Sequence, residues 1–237
     1  MTIIVPLVAL LIALPYPATP RGDVVETYHG VQVEDPYRWL EGDVRTHAEV
    51  SDWVDAQNVV TQAYLGAIPS RQTIRDRVEE VWNYEKSSAP FRVGDRYYFT
   101  RNDGLQNQPV WYVQDALDGP AQVLLNPNTW SEDGTVALRG SGFSRDGQYM
   151  AYGISEGGSD WVTWKVRDLK TNTDLADTIR WSKFSPAAWM PDGSGFFYSR
   201  FAEPQTGQAM QDANRNQTMW FHRPGTPQSE DVLVHAD

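Results

Sequence analysis

Three segments of this 237-residue chain share one layout. "FRVGDRYYFTRN" (91–102), "FSRDGQYMAYGIS" (143–155) and "WMPDGSGFFYSRF" (189–201) each hold an apolar entry, a Gly-Asp or Asp-Gly turn, then an aromatic strand. A companion follows each segment: "VWYVQDALDGPAQVLL" (110–125), "VTWKVRDLKTNTDLADTI" (162–179) and, more loosely, "TMWFHRPGTPQSEDVLV" (218–234). The companions run strand, turn, strand, because β-branched and aromatic runs bounded by Asp, Gly, Pro and Asn suit a pleated, half-buried surface. Asp95 to Gly147 is 52 residues, Gly147 to Gly193 is 46, and Asp115 to Asp168 is 53. A repeat of about fifty residues with about four short strands is the size of one β-propeller blade. A β-sandwich would place turns every 8–12 residues without self-similarity at fifty. Residues 85–237 are therefore read as about three blades of a β-propeller. Known rings need four to eight, so the stretch is expected to be part of a longer protein.

The chain before residue 85 has another texture. Val50, Trp53, Val54, Val60 and Tyr64 fall mostly on one face between Thr46 and Leu65. Pro69 and Ser70 mark a break, and Ile74, Val78, Val81 and Trp82 come next at i, i+4, i+7 and i+8. Both stretches have the 3.6-residue period of amphipathic helices and read as packing elements. Residues 15–84 thus form a helical arm. Residues 1–14 include an apolar run from Ile3 to Leu14. As a helix it would be about 18 Å long, too short for a bilayer core of about 30 Å. It has the length of a signal-peptide core, with Ala18 nearby, although no Lys or Arg precedes it. If residues 1–18 are a signal peptide the protein is periplasmic or secreted; otherwise it is cytoplasmic.

Composition excludes several function classes. A net charge of -11 disfavours nucleic acid as a partner, since binding its backbone needs clustered Lys and Arg. The chain has no cysteine, so it carries no disulfide, thiolate nucleophile or Cys-ligated metal. No HExxH run or Asp-rich calcium loop occurs, and no metal or cofactor is expected.

Five blocks identify the family that the chain resembles: "YHGVQVEDPYRWLEG" (28–42), "GLQNQPVWYVQDALDG" (104–119), "LLNPNTWSEDGTVALRG" (124–140), "AYGISEGGSDW" (151–161) and "KFSPAAWMPDGSGFFYSRF" (183–201). Together, and in order, they resemble prolyl oligopeptidase, a family of serine peptidases. "GLQNQ" followed by "WYVQD" is closer to prolyl oligopeptidase proper than to oligopeptidase B. The resemblance implies an α/β-hydrolase domain with a Ser-Asp-His triad, covered by a seven-bladed propeller that gates access for short proline-containing peptides. It also implies that the helical arm belongs to the hydrolase domain, and that this catalytic domain lies beyond Asp237 and partners the propeller. No catalytic residue is then assigned here, and these 237 residues alone are expected to be inactive. The alternative is a non-catalytic propeller that binds a protein or peptide partner.

Two serines imitate a nucleophile. Ser144, in "GFSRDG" (142–147), nearly fits Gly-x-Ser-x-Gly, but Asp146 stands where the second glycine belongs. The next residues, "QYMAYG" (148–153), alternate like a strand, whereas the nucleophile elbow leads into a helix. Ser159, in "EGGSDW" (156–161), is followed by Trp161 where a glycine is needed. Both read as turn residues. His29 and His47 precede both serines, against the Ser-Asp-His order, and His222 and His235 sit in no loop motif; all four read as surface or packing residues. "RGDVV" (21–25) reads as a linker. The resemblance implies substrate-binding roles for Phe184, lining an apolar pocket, and for Asp160, in a loop at the propeller face towards the active site. For Phe184, packing between blades stands as an equal alternative.

Overall fold

The computed structural model describes residues 14–205, 207, 209 and 213–236; most of the apolar leader therefore lies outside the described residues. The chain divides into two compact units between Arg77 and Val78.

The first unit opens with a hairpin of β1 (Val25–Tyr28) and β2 (Val31–Glu34). Its two turn residues, His29 and Gly30, have φ of 51° and 83°, the left-handed pair that matches the twist of a two-residue hairpin. The "RGDVV" stretch is tied to this hairpin, since Gly22 N–H donates to the Pro36 carbonyl and Asp35 N–H to that of Val24. Helix α1 (Ala48–Gly66) comes next, then α2 (Arg71–Trp82). Both helices form where the 3.6-residue period lies, but they bury little. Only Val50 of α1 is buried, and Ile74, Val78, Val81 and Trp82 of α2 are all exposed. Periodicity sets which side chains share a face, whereas burial needs a second surface. No described helix is long and apolar enough to cross a membrane.

Beyond α2 the structure is strand and turn. The first sheet contains β3 (Lys86–Ser87), β4 (Phe91–Val93), β5 (Arg96–Asn102), β6 (Val110–Gln114) and β7 (Gln122–Leu125), in the order β3-β5-β6-β7 with β4 also on β5. The second contains β8 (Val136–Phe143), β9 (Tyr149–Glu156), β10 (Val162–Asp168), β11 (Thr173–Asp174) and β12 (Ile179–Ser182), in the order β8-β9-β10-β11 with β12 also on β10. The third contains β13 (Ala188–Trp189), β14 (Phe196–Arg200), β15 (Thr218–His222) and β16 (Val232–His235), in sequence order. Every pairing is antiparallel. The fold is mainly β, with three successive meanders built from the repeats seen in the sequence.

Strand β9 shows how the sheets stack. Met150 and Tyr152 pack into one buried cluster with Tyr98, Val113 and Leu124 of the first sheet. Ala151, between them, packs into a second cluster with Trp164, Phe196 and Tyr198, which reaches the third sheet. Successive side chains point to opposite faces of a strand, so "MAYG" (150–153) is large on one face, small on the other, and buried on both. The small face is required: a Cβ on Gly153 would lie 2.6 Å from Val162 Cγ1 and 3.4 Å from the Trp164 ring.

The glycine turns that mark the repeat also meet in space. A Cβ on Gly147 would lie 3.3 Å from Gly94 Cα, and one on Gly193 would collide with the Asp146 carboxylate. Gly94, Gly147 and Gly193 all have φ between 57° and 74°, a region that L side chains occupy only under strain. Asp146 and Asp192 complete their turns by accepting from Gln148 N–H and Ser194 N–H.

Candidate functional site

Ser144 is fully buried. Its Oγ accepts from Tyr149 N–H at 2.9 Å and donates to the Tyr149 carbonyl at 3.2 Å, while its own N–H donates to the same carbonyl. The hydroxyl closes the turn between β8 and β9, and both its hydrogen-bonding functions are taken. Ser159 Oγ accepts from Trp161 N–H at 3.1 Å, within the turn that joins β9 to β10.

The histidines separate. His29 is the left-handed turn residue described above, His47 flanks α1 with its ring against the Thr46 hydroxyl at 3.1 Å, and His235 is exposed on β16. His222 is completely buried, with Nδ1 2.6 Å from Asp231 Oδ1 and Nε2 2.8 Å from Asp177 Oδ1. Each ring nitrogen faces a carboxylate oxygen, so each carries a proton and the ring is an imidazolium. Burial works against that charge, but the bonds from Asp177 and then Asp231 outweigh it and raise the pKa to about 9. Gly225 N–H also donates to Asp177 Oδ1, and the Tyr198 hydroxyl donates to Asp231 Oδ2 at 2.5 Å. Asp177 precedes β12, whereas His222 and Asp231 belong to the third sheet and its loop. The network joins two sheets in a place closed to solvent, and it holds no nucleophile. Sequence reasoning missed it because the two acids lie 45 and 9 positions from the histidine.

The two residues named as substrate contacts lie on neighbouring turns. Phe184, between β12 and β13, is 69% exposed and so fills no space between sheets among the described residues. Its backbone is left-handed at φ 55°, and Trp181 three residues earlier has φ 63°. Such angles are genuine outliers for bulky side chains. They persist because hydrogen bonds secure the turn on both sides. Ser182 Oγ donates to the Ser199 carbonyl at 2.8 Å and accepts from Trp164 Nε1 at 3.1 Å. Phe201 N–H donates to the Trp181 carbonyl, and Ser199 N–H to Ser185 Oγ.

Asp160 is exposed on the turn before β10. It approaches the rest of the site through Lys183, whose pKa is lowered by burial, with the Asp160 charge opposing that shift. The Lys183 ammonium lies 3.7 Å above the Trp161 ring and donates to Asn214 Oδ1 at 3.0 Å. Trp161 stands edge-on to Trp181 at 5.4 Å and to Phe201 at 6.2 Å. Its indole N–H donates to the Ala209 carbonyl at 2.6 Å. A cavity of about 250 Å³ opens beside Trp161, Phe201 and Asn214, and one of about 440 Å³ adjoins it at Trp181, Arg200 and Trp220. Neither is lined by Phe184 or Asp160. Lys183 carried no sequence signal, being a single lysine between a serine and a phenylalanine. Among the described residues no group of His, Asp or Glu is placed to hold a metal ion.

Residues 17–237 match the family model for the prolyl oligopeptidase N-terminal β-propeller domain. The chain is 42% identical over 221 residues to a prolyl endopeptidase of Elizabethkingia meningoseptica, covering 93% of this chain and 31% of that protein. It is 35% identical to prolyl oligopeptidase A of Galerina marginata, covering 94% of this chain and 34% of that protein. Among solved structures, Galerina marginata prolyl oligopeptidase B bound to a 35mer hydrolysis and macrocyclization substrate superposes with a TM-score of 0.77 at 34% identity, over 94% of this chain and 34% of that one. Oligopeptidase B from Leishmania major shares the fold, with a TM-score of 0.73 at 19% identity over 95% of this chain and 33% of that one. The chain thus spans about a third of the length of the relatives it matches.

Proposed function

The chain belongs to the prolyl oligopeptidase family, and we propose that it is the propeller-bearing part of a serine endopeptidase that cleaves short peptides on the carboxyl side of proline. The observation that carries this reading is Phe184, an aromatic ring held out of the protein by a strained and heavily anchored turn. Left-handed backbone at a bulky residue costs of order 1–3 kcal/mol, and such strain gathers at ligand contacts. A ring fixed in this way loses little freedom on meeting an apolar peptide side chain, so it binds at low entropic cost. Asp160, on the neighbouring turn, adds negative charge that biases which peptides are held. The sheets act as a gate, admitting short peptides and keeping folded proteins out. The chemistry is attack by an activated serine, with the oxyanion stabilised by preorganised donors. Ser144 is not that serine, because its hydroxyl is spent in a turn.

The test uses the product of the complete reading frame. It should hydrolyse a Gly-Pro chromogenic substrate and leave the Gly-Ala counterpart intact. Phe184→Ala should raise KM with kcat retained, the pattern of lost uniform binding. Absence of proline-dependent hydrolysis would overturn the peptidase reading. Unchanged KM with lowered stability would make Phe184 a packing residue.

A further inference from the structure

Lys183 is only 7% exposed, yet it carries an ammonium group. Burying such a charge costs several kcal/mol unless it is well paired, and an apolar side chain of like volume generally serves stability as well or better. Packing alone would therefore be met by methionine. The lysine adds direction. Its ammonium meets the Trp161 face at 3.7 Å and the Asn214 side chain at 3.0 Å, while its own carbonyl accepts from Gln217 Nε2 at 3.0 Å. Three segments distant in sequence are gathered at one residue: the turn before β10, the turn between β12 and β13, and the end of the β14–β15 connection. The residue is also the neighbour of Phe184, inside a stretch with two left-handed aromatic residues.

We propose that Lys183 is a positioning residue that fixes the aim of Phe184 and thereby sets how strongly the enzyme holds the apolar side chains of a peptide. The proposal rests on Phe184 being a peptide contact. The Ser182 and Ser185 hydroxyls and one backbone bond hold the Phe184 turn from the third-sheet side, through Ser199 and Phe201. The lysine ties it to Trp161 and Asn214, on loops that those bonds do not reach. Without the ammonium the turn keeps its tether to the sheet and the Gln217 bond to its carbonyl but loses its hold on Trp161 and Asn214, so the ring samples directions that make poorer contact. The loss is one of binding, since no bond is made or broken at Lys183.

The experiment is a double-mutant cycle in the product of the complete reading frame, with KM and kcat measured on peptides that carry an apolar residue ahead of Gly-Pro. Lys183→Met should raise KM about tenfold with kcat within twofold, and should leave the denaturation midpoint unchanged or higher. Lys183→Arg keeps a cation over Trp161 and a donor to Asn214, and should recover most of the loss. In the Phe184→Ala background, Lys183→Met should add less than twofold, because its effect runs through the ring. If Phe184→Ala itself leaves KM unchanged, the underlying reading of Phe184 fails. If Phe184→Ala raises KM while Lys183→Met does not, or if the two effects multiply independently, the positioning role alone is overturned. Should Lys183→Met not fold, Asn214→Ala removes one brace from outside the core. It should raise KM in the same way, and an unchanged KM there overturns the proposal.

Discussion

Raising the pH should loosen the junction between the second and third sheets, and the His222 network sets the size of the effect. In the folded protein the imidazolium lies between Asp231 and Asp177 at 2.6 and 2.8 Å, and its pKa rises from 6.5 to about 9. One pKa unit is about 1.4 kcal/mol, so a rise of this size links to about 3 kcal/mol of stability. The group binds its proton more tightly folded than unfolded. Its contribution is therefore complete below about pH 6.5, declines as pH rises, and is gone above about pH 9. Denaturant unfolding at pH 6, 7.5, 9 and 10, followed by tryptophan fluorescence, should show stability falling by that amount. Asp231→Asn removes one acceptor of the charged form and should shift the decline to lower pH. A nitrogen-detected spectrum of the imidazole should show both ring nitrogens protonated near pH 7.5. Parallel stability profiles for the two proteins between pH 6 and 10, or a singly protonated ring near neutrality, would refute the reasoning.

Two further outcomes concern the turns. Ser144→Ala should lower stability by about 1–2 kcal/mol, because Tyr149 N–H loses its acceptor in a buried turn; in the product of the complete reading frame the proposed proline-directed hydrolysis should keep its kcat, and a loss of more than a hundredfold would restore this serine as a nucleophile. Phe184→Gly should be about 1 kcal/mol more stable in urea than Phe184→Ala, since glycine accepts φ 55° without a Cβ penalty, while both should bind peptide less well than the parent.

The hairpins were legible because their signals are local. Alternating aromatic strands and Asp-Gly turns specify pairing between neighbours in sequence, and each of the six repeat segments forms its strand–turn–strand unit. Phe184 and Asp160 came from a family pattern, and periodicity alone would have passed over both. The His222 network and the Lys183 brace were invisible for a different reason. Both depend on residues that the chain brings together from 9 to 45 positions apart, and neither follows a repeating spacing. The left-handed angles of Trp181 and Phe184 ran against local preference altogether. Local signals could not have announced a conformation that only tertiary hydrogen bonds sustain.

Strain and buried charge gather where the second and third sheets meet, and the core beneath supplies the reason. Between the first and second sheets an apolar cluster forms the core, the turns stack on glycine, and Arg96 and Arg167 bond across to the Leu169 and Leu124 carbonyls. Between the second and third, an apolar cluster around Trp164, Phe196 and Tyr198 coexists with hydrogen bonds that run outward from it. Trp164 is the link: its ring packs in the core, and its indole N–H reaches Ser182 Oγ, which reaches the Ser199 carbonyl. The stability of the cluster is thereby coupled to the turn that carries Phe184. A strained exposed residue persists only when its surroundings over-determine it, and this core supplies the surroundings. On the proposed role of Phe184, a cavity opened beneath Trp164 should raise KM for peptides in the product of the complete reading frame even though it touches no peptide.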